Sequence, residues 1–141
     1  IRPALARSII VLCDRFMDSS RVYQGVTGNL EPDYIEALQR VAVNGVVPDC
    51  TLILDIPAAV GLERARKRAS TVASPDRFEK EEMQTHEKRR EAFLDIAARE
   101  PERCHVIDAQ KSEDEIAAEI AGIIDKRLGI ADIAARSEAA Q

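Results

Sequence analysis

Three short apolar runs, separated by longer segments with helical periodicity, restrict the fold of this chain more than any other feature. The runs are residues 8–13 (SIIVLC), 51–56 (TLILDI) and 103–107 (RCHVI). Their length and their β-branched residues predict buried strands. Strands that alternate with helices are typical of parallel sheets, so we predict an α/β fold. Ligands of such sheets gather at the carboxyl ends of the strands. Asp14 and Asp108 follow two of the runs directly, while Asp55 lies within the middle run.

The intervening segments predict four helices. The first covers residues 32–43, with Ile35, Leu38, Val41 and Ala42 on its apolar face and Asn44-Gly45 as its stop. The second starts at Pro57, and the third covers residues 79–99. The fourth begins at a capping box formed by Ser112 and Glu115 and ends at Gly129. The last carries an apolar stripe of Ile116, Ile120, Ile123, Ile124 and Leu128.

Composition excludes several classes of protein. The length of 141 residues and an apolar fraction of 45% suit one domain with a real core. A net charge of −5 opposes binding along a phosphate backbone, so we predict no nucleic-acid partner. No apolar stretch reaches the ~20 residues that span a bilayer, so we expect no membrane partner. Cys13, Cys50 and Cys104 are predicted to be reduced core thiols, as in a cytoplasmic protein.

The first apolar run leads directly into residues 14–25, DRFMDSSRVYQG. An aspartate at a strand tip can hold Mg²⁺, and the adjacent Arg15 can bind a phosphate. Ser20, Tyr23 and Gln24 can recognise a sugar and a base. A surface loop, in which Asp14 caps the next helix, is the alternative, and the residues alone leave the two interpretations open.

A second basic cluster, in GLERARKR, leads into a stretch of small residues. Arg64 and Arg68 share one helix face and Arg66 points elsewhere, while Arg77 follows the small residues. Guanidinium groups on a mobile segment suit a lid over a transferring phosphoryl group. A solvated basic helix end is the alternative. The two histidines, His86 and His105, belong to no metal-ligand pattern and to no nucleophile–base pair. Phosphoryl transfer requires neither of these two patterns.

Four blocks, in order, together resemble the thymidylate kinase family (dTMP kinases) of bacteria. They are Asp14-Arg15 with Ser19-Ser20 and Tyr23-Gln24-Gly25, then Pro48-Asp49 before TLILDIPAAVGLERARKR, then Asp76-Arg77-Phe78-Glu79, then AFLDIAAREPERCHVIDA. The resemblance covers residues 2–128 and matches the C-terminal two-thirds of such enzymes. Phe16 and Phe93 stand where many relatives have tyrosine.

The resemblance implies a P-loop nucleoside monophosphate kinase fold, a three-layer parallel sheet with helices on both faces. It implies phosphoryl transfer from ATP to dTMP, giving dTDP for dTTP biosynthesis, with Mg²⁺, in a cytoplasmic homodimer. It divides the chain into part of one kinase domain (1–129), with a lid region at about 64–80, and a C-terminal tail (130–141).

By position, the resemblance implies that Asp14 lies beside the metal and phosphates and that Arg15 binds the dTMP phosphate. Ser20 and Gln24 would hydrogen-bond thymine, and Tyr23 would pack near the deoxyribose, disfavouring a 2′-hydroxyl. The implied substrate-binding set is Asp14, Arg15, Ser19, Ser20, Tyr23 and Gln24, with Asp14 as the metal ligand. The implied catalytic arginines are Arg15, Arg66, Arg68 and Arg77, and the implied ATP-binding set is Arg64, Arg68, Ala109 and Gln110.

One departure from the family is serious. No G-x-x-x-x-G-K-[ST] motif occurs in these 141 residues. Without its backbone N–H groups and lysine, the β- and γ-phosphates of ATP lack their principal binding site. We therefore hypothesise that an N-terminal segment bearing this loop and a central strand is missing, and that the chain alone is inactive. The alternatives are another nucleoside or nucleotide kinase of this fold, or a non-catalytic nucleotide-binding module.

Overall fold

The computed structural model describes residues 1–28, 30–69 and 77–129. The side chains of Arg68 and Arg77 lie outside this description, as do residues 70–76 of the predicted lid and the whole tail 130–141. In chain order the elements are α1 (Arg2–Leu5), α2 (Met17–Ser20), a π-helix (Arg21–Val26), α3 (Pro32–Val43), β1 (Thr51–Asp55), α4 (Ala58–Ala69), α5 (Arg77–Arg99), β2 (Cys104–Asp108) and α6 (Glu113–Leu128).

The two strands pair in parallel, and their register runs from Thr51 opposite Cys104 to Asp55 opposite Asp108. Both strands therefore end at one edge of the sheet, each in an aspartate. Helix α5 contacts both strands, and α6 contacts β2. The α/β class with parallel strands separated by helices is confirmed.

The prediction of a strand at residues 8–13 is wrong for this structure. These residues follow α1 without regular structure, and Leu12 is 94% exposed. The physical reason is the absence of a ladder partner among the described residues, because a strand without backbone hydrogen bonds to a neighbour has little to hold it. The described sheet consequently has two strands where the sequence predicted three.

The helix predictions hold closely. Helix α3 has the predicted bounds and ends with Asn44 and Gly45 in the left-handed region, at φ of 46° and 81°. Helix α6 begins with the predicted capping box of Ser112 and Glu115, and Gly129 closes it at φ 60°. Helix α4 starts one residue after the predicted Pro57, and α5 starts two residues before the predicted residue 79.

The predicted apolar face of α3 is partly wrong. Ile35 is buried as expected, but Leu38 is exposed and Val41 is 80% exposed. The second buried residue of the helix is Gln39. Its side chain donates a hydrogen bond to the carbonyl of Met17 at 2.6 Å, so a polar contact with α2 occupies that side of the helix.

Residues 17–26 form helical structure, although a surface loop was one of the two interpretations that the sequence left open. In the π-helix, the Thr27 N–H donates to the carbonyl of Val22, five residues earlier. Gly28 closes this turn against the backbone, because a Cβ there would lie 2.4 Å from the carbonyl oxygen of Gln24. This short helical segment positions most of the predicted substrate residues.

The cysteine prediction is correct in part. All three thiols are free, and Cys104 is buried, but Cys13 is exposed because its predicted strand does not form. Burial raises the pKa of both the Cys50 and Cys104 thiols. His105 lies in β2 with its Nε2 buried and without a hydrogen-bond partner in the described part of the chain. No helix among the described residues is both long and apolar enough to cross a bilayer.

Candidate active site

The site begins at Asp14 and Arg15, both exposed, just before α2. Arg15 has φ of 66°, a left-handed conformation that costs a non-glycine residue roughly 1–2 kcal/mol. The Sγ of Cys13 donates to the Arg15 carbonyl at 3.4 Å. Such strain is concentrated at functional positions in proteins, which marks this turn for attention.

Tyr23 is the centre of the site. The Cζ of Arg15 lies 4.5 Å from the centroid of its ring, and the Cζ of Arg89 lies 4.7 Å from the same centroid. Phe93 meets the ring edge-on, with centroids 6.5 Å apart at 67°. The half-buried tyrosine thus connects the segment after α1 to helix α5.

The two predicted serines and the predicted glutamine lie in α2 and the π-helix, close to Tyr23 in the sequence. The Nε of Arg15 donates to Ser19 Oγ at 3.3 Å. Ser20 and Gln24 line a cavity of about 420 Å³ between α2 and α3. Its other lining residues are mainly apolar: Phe16, Met17, Leu30, Ile35, Leu38, Gln39, Ala42 and Val43. The structure therefore places Arg15 on the Tyr23 ring with Ser19 bonded to Arg15, and it places Ser20 and Gln24 at the cavity between α2 and α3.

A buried ion pair holds α2 in place. Asp18 is 5% exposed and Arg103, just before β2, is 8% exposed. They bond in two parallel contacts of 2.7 and 2.8 Å. Arg103 also donates to Glu100 Oε2 at 2.7 Å and to Thr51 Oγ1 at 2.9 Å. One arginine thus connects α2, the start of β1 and the end of α5.

Arg21 extends this network. It pairs with Asp18 at 3.4 Å and with Glu100, and its Nε donates to Gln39 Oε1 at 3.1 Å. Burial raises the pKa of the Glu100 carboxyl, but hydrogen bonds from Arg103 and Arg21 outweigh burial and hold that pKa below its ordinary value. The bond to Asp18 raises the pKa of Arg103.

A second ion pair fixes α5 to the sheet. Arg90 donates to both carboxylate oxygens of Asp55, at 2.7 and 3.0 Å, and to Glu87 at 2.8 Å. The hydrogen bond from Arg90 lowers the pKa of the Asp55 carboxyl despite partial burial. Asp55 therefore has a structural partner, although it ends a strand.

Two residues expected on the ATP side contact each other at the carboxyl edge of the sheet. The Nη1 of Arg64 in α4 donates to the carbonyl of Ala109 at 2.9 Å. The neighbouring Gln110 donates its N–H to Asp108 Oδ1 at 2.9 Å. Arg66 lies exposed on α4. For Arg68 and Arg77 only the backbone is described, in α4 and at the first residue of α5.

The described residues contain no group of three or more His, Cys, Asp or Glu side chains placed to hold a metal ion. Mg²⁺ on nucleotide phosphates usually takes only one or two protein carboxylates and completes its shell with water and phosphate oxygens. The single exposed carboxylate of Asp14 fits this demand.

Sequence reasoning missed Arg89, Asp18 and Arg103. Arg89 lies four residues before Phe93, so the two share a face of α5, and this spacing could have placed both against one partner. The pairing of Asp18 with Arg103 joins residues 85 positions apart, and no local pattern reports it.

The family model for thymidylate kinase matches residues 1–120. Over 140 residues the chain is 47% identical to the thymidylate kinase of Nitrobacter winogradskyi, covering 99% of this chain and 60% of that protein. Over 128 residues it is 48% identical to the thymidylate kinase of Rhodopseudomonas palustris strain BisB18, covering 91% and 55%.

The structure is similar to the crystal structure of thymidylate kinase from Ehrlichia chaffeensis, with a TM-score of 0.64 and 28% identity. That match covers 88% of this chain and 53% of the other. The chain thus spans little more than half the length of these relatives. A family model that matches most of the chain, together with identities near one half, shows that the chain belongs to the thymidylate kinase family.

Proposed function

We propose that the protein containing this chain transfers a phosphoryl group from ATP to dTMP, giving ADP and dTDP for dTTP biosynthesis. The observation that carries the proposal is the stacking of Arg15 on Tyr23 and its hydrogen bond to Ser19, with Ser20 and Gln24 of the same helical segment lining a cavity between α2 and α3. In a member of the thymidylate kinase family, this arrangement supplies a cation for a phosphate next to polar groups for a base.

In this proposal Arg15 binds the phosphate of dTMP and acts in transfer, because a guanidinium matches phosphate oxygens and offsets developing charge. Ser19 contributes to the same site through its bond to Arg15. The amide of Gln24 and the hydroxyl of Ser20 hydrogen-bond the thymine. Tyr23 packs near the deoxyribose, where a 2′-hydroxyl would be crowded.

On the donor side, the proposal assigns Arg64, Ala109 and Gln110 to ATP. Support comes from the contact between Arg64 and the Ala109 carbonyl, which places a cation beside the loop after β2. Arg66, Arg68 and Arg77 belong to the proposed lid at about 64–80, with Arg68 also flanking ATP. Asp14 would hold Mg²⁺, which supplies charge neutralisation between the phosphates.

We further propose a cytoplasmic homodimer that does not bind nucleic acid, with residues 1–129 forming part of one kinase domain and residues 130–141 forming a tail. These 141 residues alone are expected not to transfer phosphate, since they contain no Walker A motif. The same observation favours a second candidate, a non-catalytic module that binds nucleotides. A Walker A sequence in the upstream reading frame would eliminate that candidate.

The proposal predicts that Arg15→Ala in the protein expressed from its complete gene reduces kcat/KM for dTMP by about 100-fold or more, while the melting temperature changes little. The reason is that Arg15 is exposed and, among the described side chains, makes a long bond to Ser19 and a contact with Tyr23. Steady-state rates and thermal melts of both proteins provide the comparison. A loss of stability that matches the loss of activity would assign Arg15 a structural role.

A further inference from the structure

Two positive charges converge on one ring in this molecule. The guanidinium carbons of Arg15 and Arg89 lie 4.5 and 4.7 Å from the Tyr23 centroid, so their separation cannot exceed the sum of those distances. A tyrosine ring attracts each cation, but the two cations repel each other. Among the described side chains, those of residues 1–28, 30–31, 33–67 and 82–129, neither forms an ion pair with a carboxylate.

Nearby arginines behave differently. Arg90, the next residue along α5, bonds to Asp55 and Glu87. Arg103 bonds to Asp18 and Glu100, and Arg21 contacts the same two carboxylates. The part-buried structural arginines around this segment are therefore neutralised by acids. Arg89 is half-buried too, yet among the described side chains its hydrogen bond goes to a hydroxyl, that of Thr27.

Towards the side chains that the structure describes, each of the two guanidinium groups uses its Nε donor. Arg89 donates from Nε to Thr27 Oγ1 at 3.4 Å, and Arg15 donates from Nε to Ser19 Oγ at 3.3 Å. These bonds from Nε orient each guanidinium group through the nitrogen that joins it to its side chain. Each guanidinium carries five N–H donors, so in the described part of the chain the terminal nitrogens remain available to a ligand.

We propose that Arg89 is the second cation of the acceptor site and that it binds, with Arg15, the phosphate of the nucleoside monophosphate. This inference rests on the proposed function and adds to it a residue from α5. A dianionic phosphate accepts hydrogen bonds from both forks and removes the repulsion between them. Phe93, one turn further along α5, supports Tyr23 from its edge and keeps the ring between the two elements.

The assignment has a specific consequence for recognition. If Arg89 binds the phosphate, its removal weakens ligands that carry a phosphate and spares the same nucleoside without one. A residue that only supports the fold or stacks on Tyr23 would affect both ligands alike.

The test uses the protein from its complete gene, with Arg89→Gln, Arg89→Lys and the control Arg99→Gln. Arg99 lies on the same helix, is mostly exposed, and forms an ion pair with Asp95 one turn earlier. Titration calorimetry with dTMP, with thymidine and with inorganic phosphate gives the three affinities for each variant.

We expect Arg89→Gln to weaken dTMP by about 10- to 100-fold, the loss of one hydrogen-bonded charge contact. Thymidine affinity should change by less than about twofold, which also shows that the pocket is still folded. Arg89→Lys keeps the charge but loses the planar guanidinium, so its affinity for dTMP should lie between those of Arg89→Gln and wild type. Arg99→Gln should bind dTMP with wild-type affinity. Unchanged dTMP affinity in Arg89→Gln, or equal weakening of dTMP and thymidine, would overturn the inference.

Failure of the proposed function would give a different result from failure of the Arg89 inference. The unmodified protein would then form no ADP from ATP and dTMP. Inorganic phosphate still tests Arg89 in that case, because the pair of guanidinium groups should bind it and Arg89→Gln should weaken that binding by the same factor. If Arg89→Gln leaves the affinity for inorganic phosphate unchanged, the assignment of Arg89 to an anion-binding site is overturned.

Discussion

Individual arginines in this chain have two distinct roles that the sequence does not separate. Arg89 and Arg90 are adjacent in α5, but Arg90 forms a bidentate ion pair with Asp55, whereas Arg89 stacks on Tyr23. Successive helix positions point about 100° apart, so neighbouring identical residues contact different partners. Which of the two contacts the candidate site depends on where β1 and the π-helix lie.

The Asp55 carboxyl predicts a specific acid sensitivity. The Arg90 hydrogen bond holds its pKa below the ordinary value of 3.8, so the ionised form stabilises the folded state. That stability is fully present at neutral pH and is lost as pH falls through the lowered pKa. Glu100, with its pKa also held below the ordinary 4.5, adds to the same loss. We expect the melting temperature to fall steeply below about pH 4.5.

Asp55→Asn should lower stability at neutral pH and flatten this acid loss, because the amide does not titrate. Thermal melts from neutral pH down to about pH 3 measure the effect. Glu36→Gln is the matched control, since Glu36 forms an exposed pair with Arg40 on α3 and its removal should leave the wild-type slope. An acid slope in Asp55→Asn as steep as that of wild type would contradict the role given to this pair.

Among the elements, α2 and the π-helix depend most on distant parts of the chain. The buried pair of Asp18 with Arg103 and the contacts of Arg21 hold this segment against the end of α5 and the start of β1. The segment itself is polar and has no clear apolar periodicity. For this reason its local sequence was compatible with a surface loop. By contrast, α3 and α6 carry local start and stop signals, and their bounds were predicted from the sequence.

This dependence predicts a large effect of Arg103→Met. The substitution keeps much of the side-chain volume but leaves the buried Asp18 carboxylate without its bidentate partner. The expected loss in the free energy of unfolding is about 3–5 kcal/mol, measured by urea denaturation. Adding Asp18→Asn should recover part of the loss, because it removes a buried charge that then has only the longer 3.4 Å contact with Arg21 among the described residues. A loss below about 1 kcal/mol in Arg103→Met would mean that the pair does not hold α2.

Across the whole chain, the sequence predicted the fold class and named most residues of the candidate site, whose roles remain predictions, while it mispredicted one strand. The run at residues 8–13 has the composition of a buried strand, but composition cannot supply the neighbour that a strand pairs with. The residues near Tyr23 were anticipated from residues 14–25 and the family resemblance. Arg89 was not, because its contact with Tyr23 follows only from the packing of α5 beside the π-helix.

The most direct measurement compares acceptors. Initial rates of ADP formation from ATP and Mg²⁺ are recorded for the protein from its complete gene with dTMP, dUMP, dCMP, UMP and AMP. A site in which Gln24 and Ser20 contact the base and Tyr23 contacts the sugar predicts the highest kcat/KM for dTMP and a clear loss for the ribonucleotide UMP. Absence of ADP formation with dTMP, or a higher kcat/KM for any other acceptor, would contradict it.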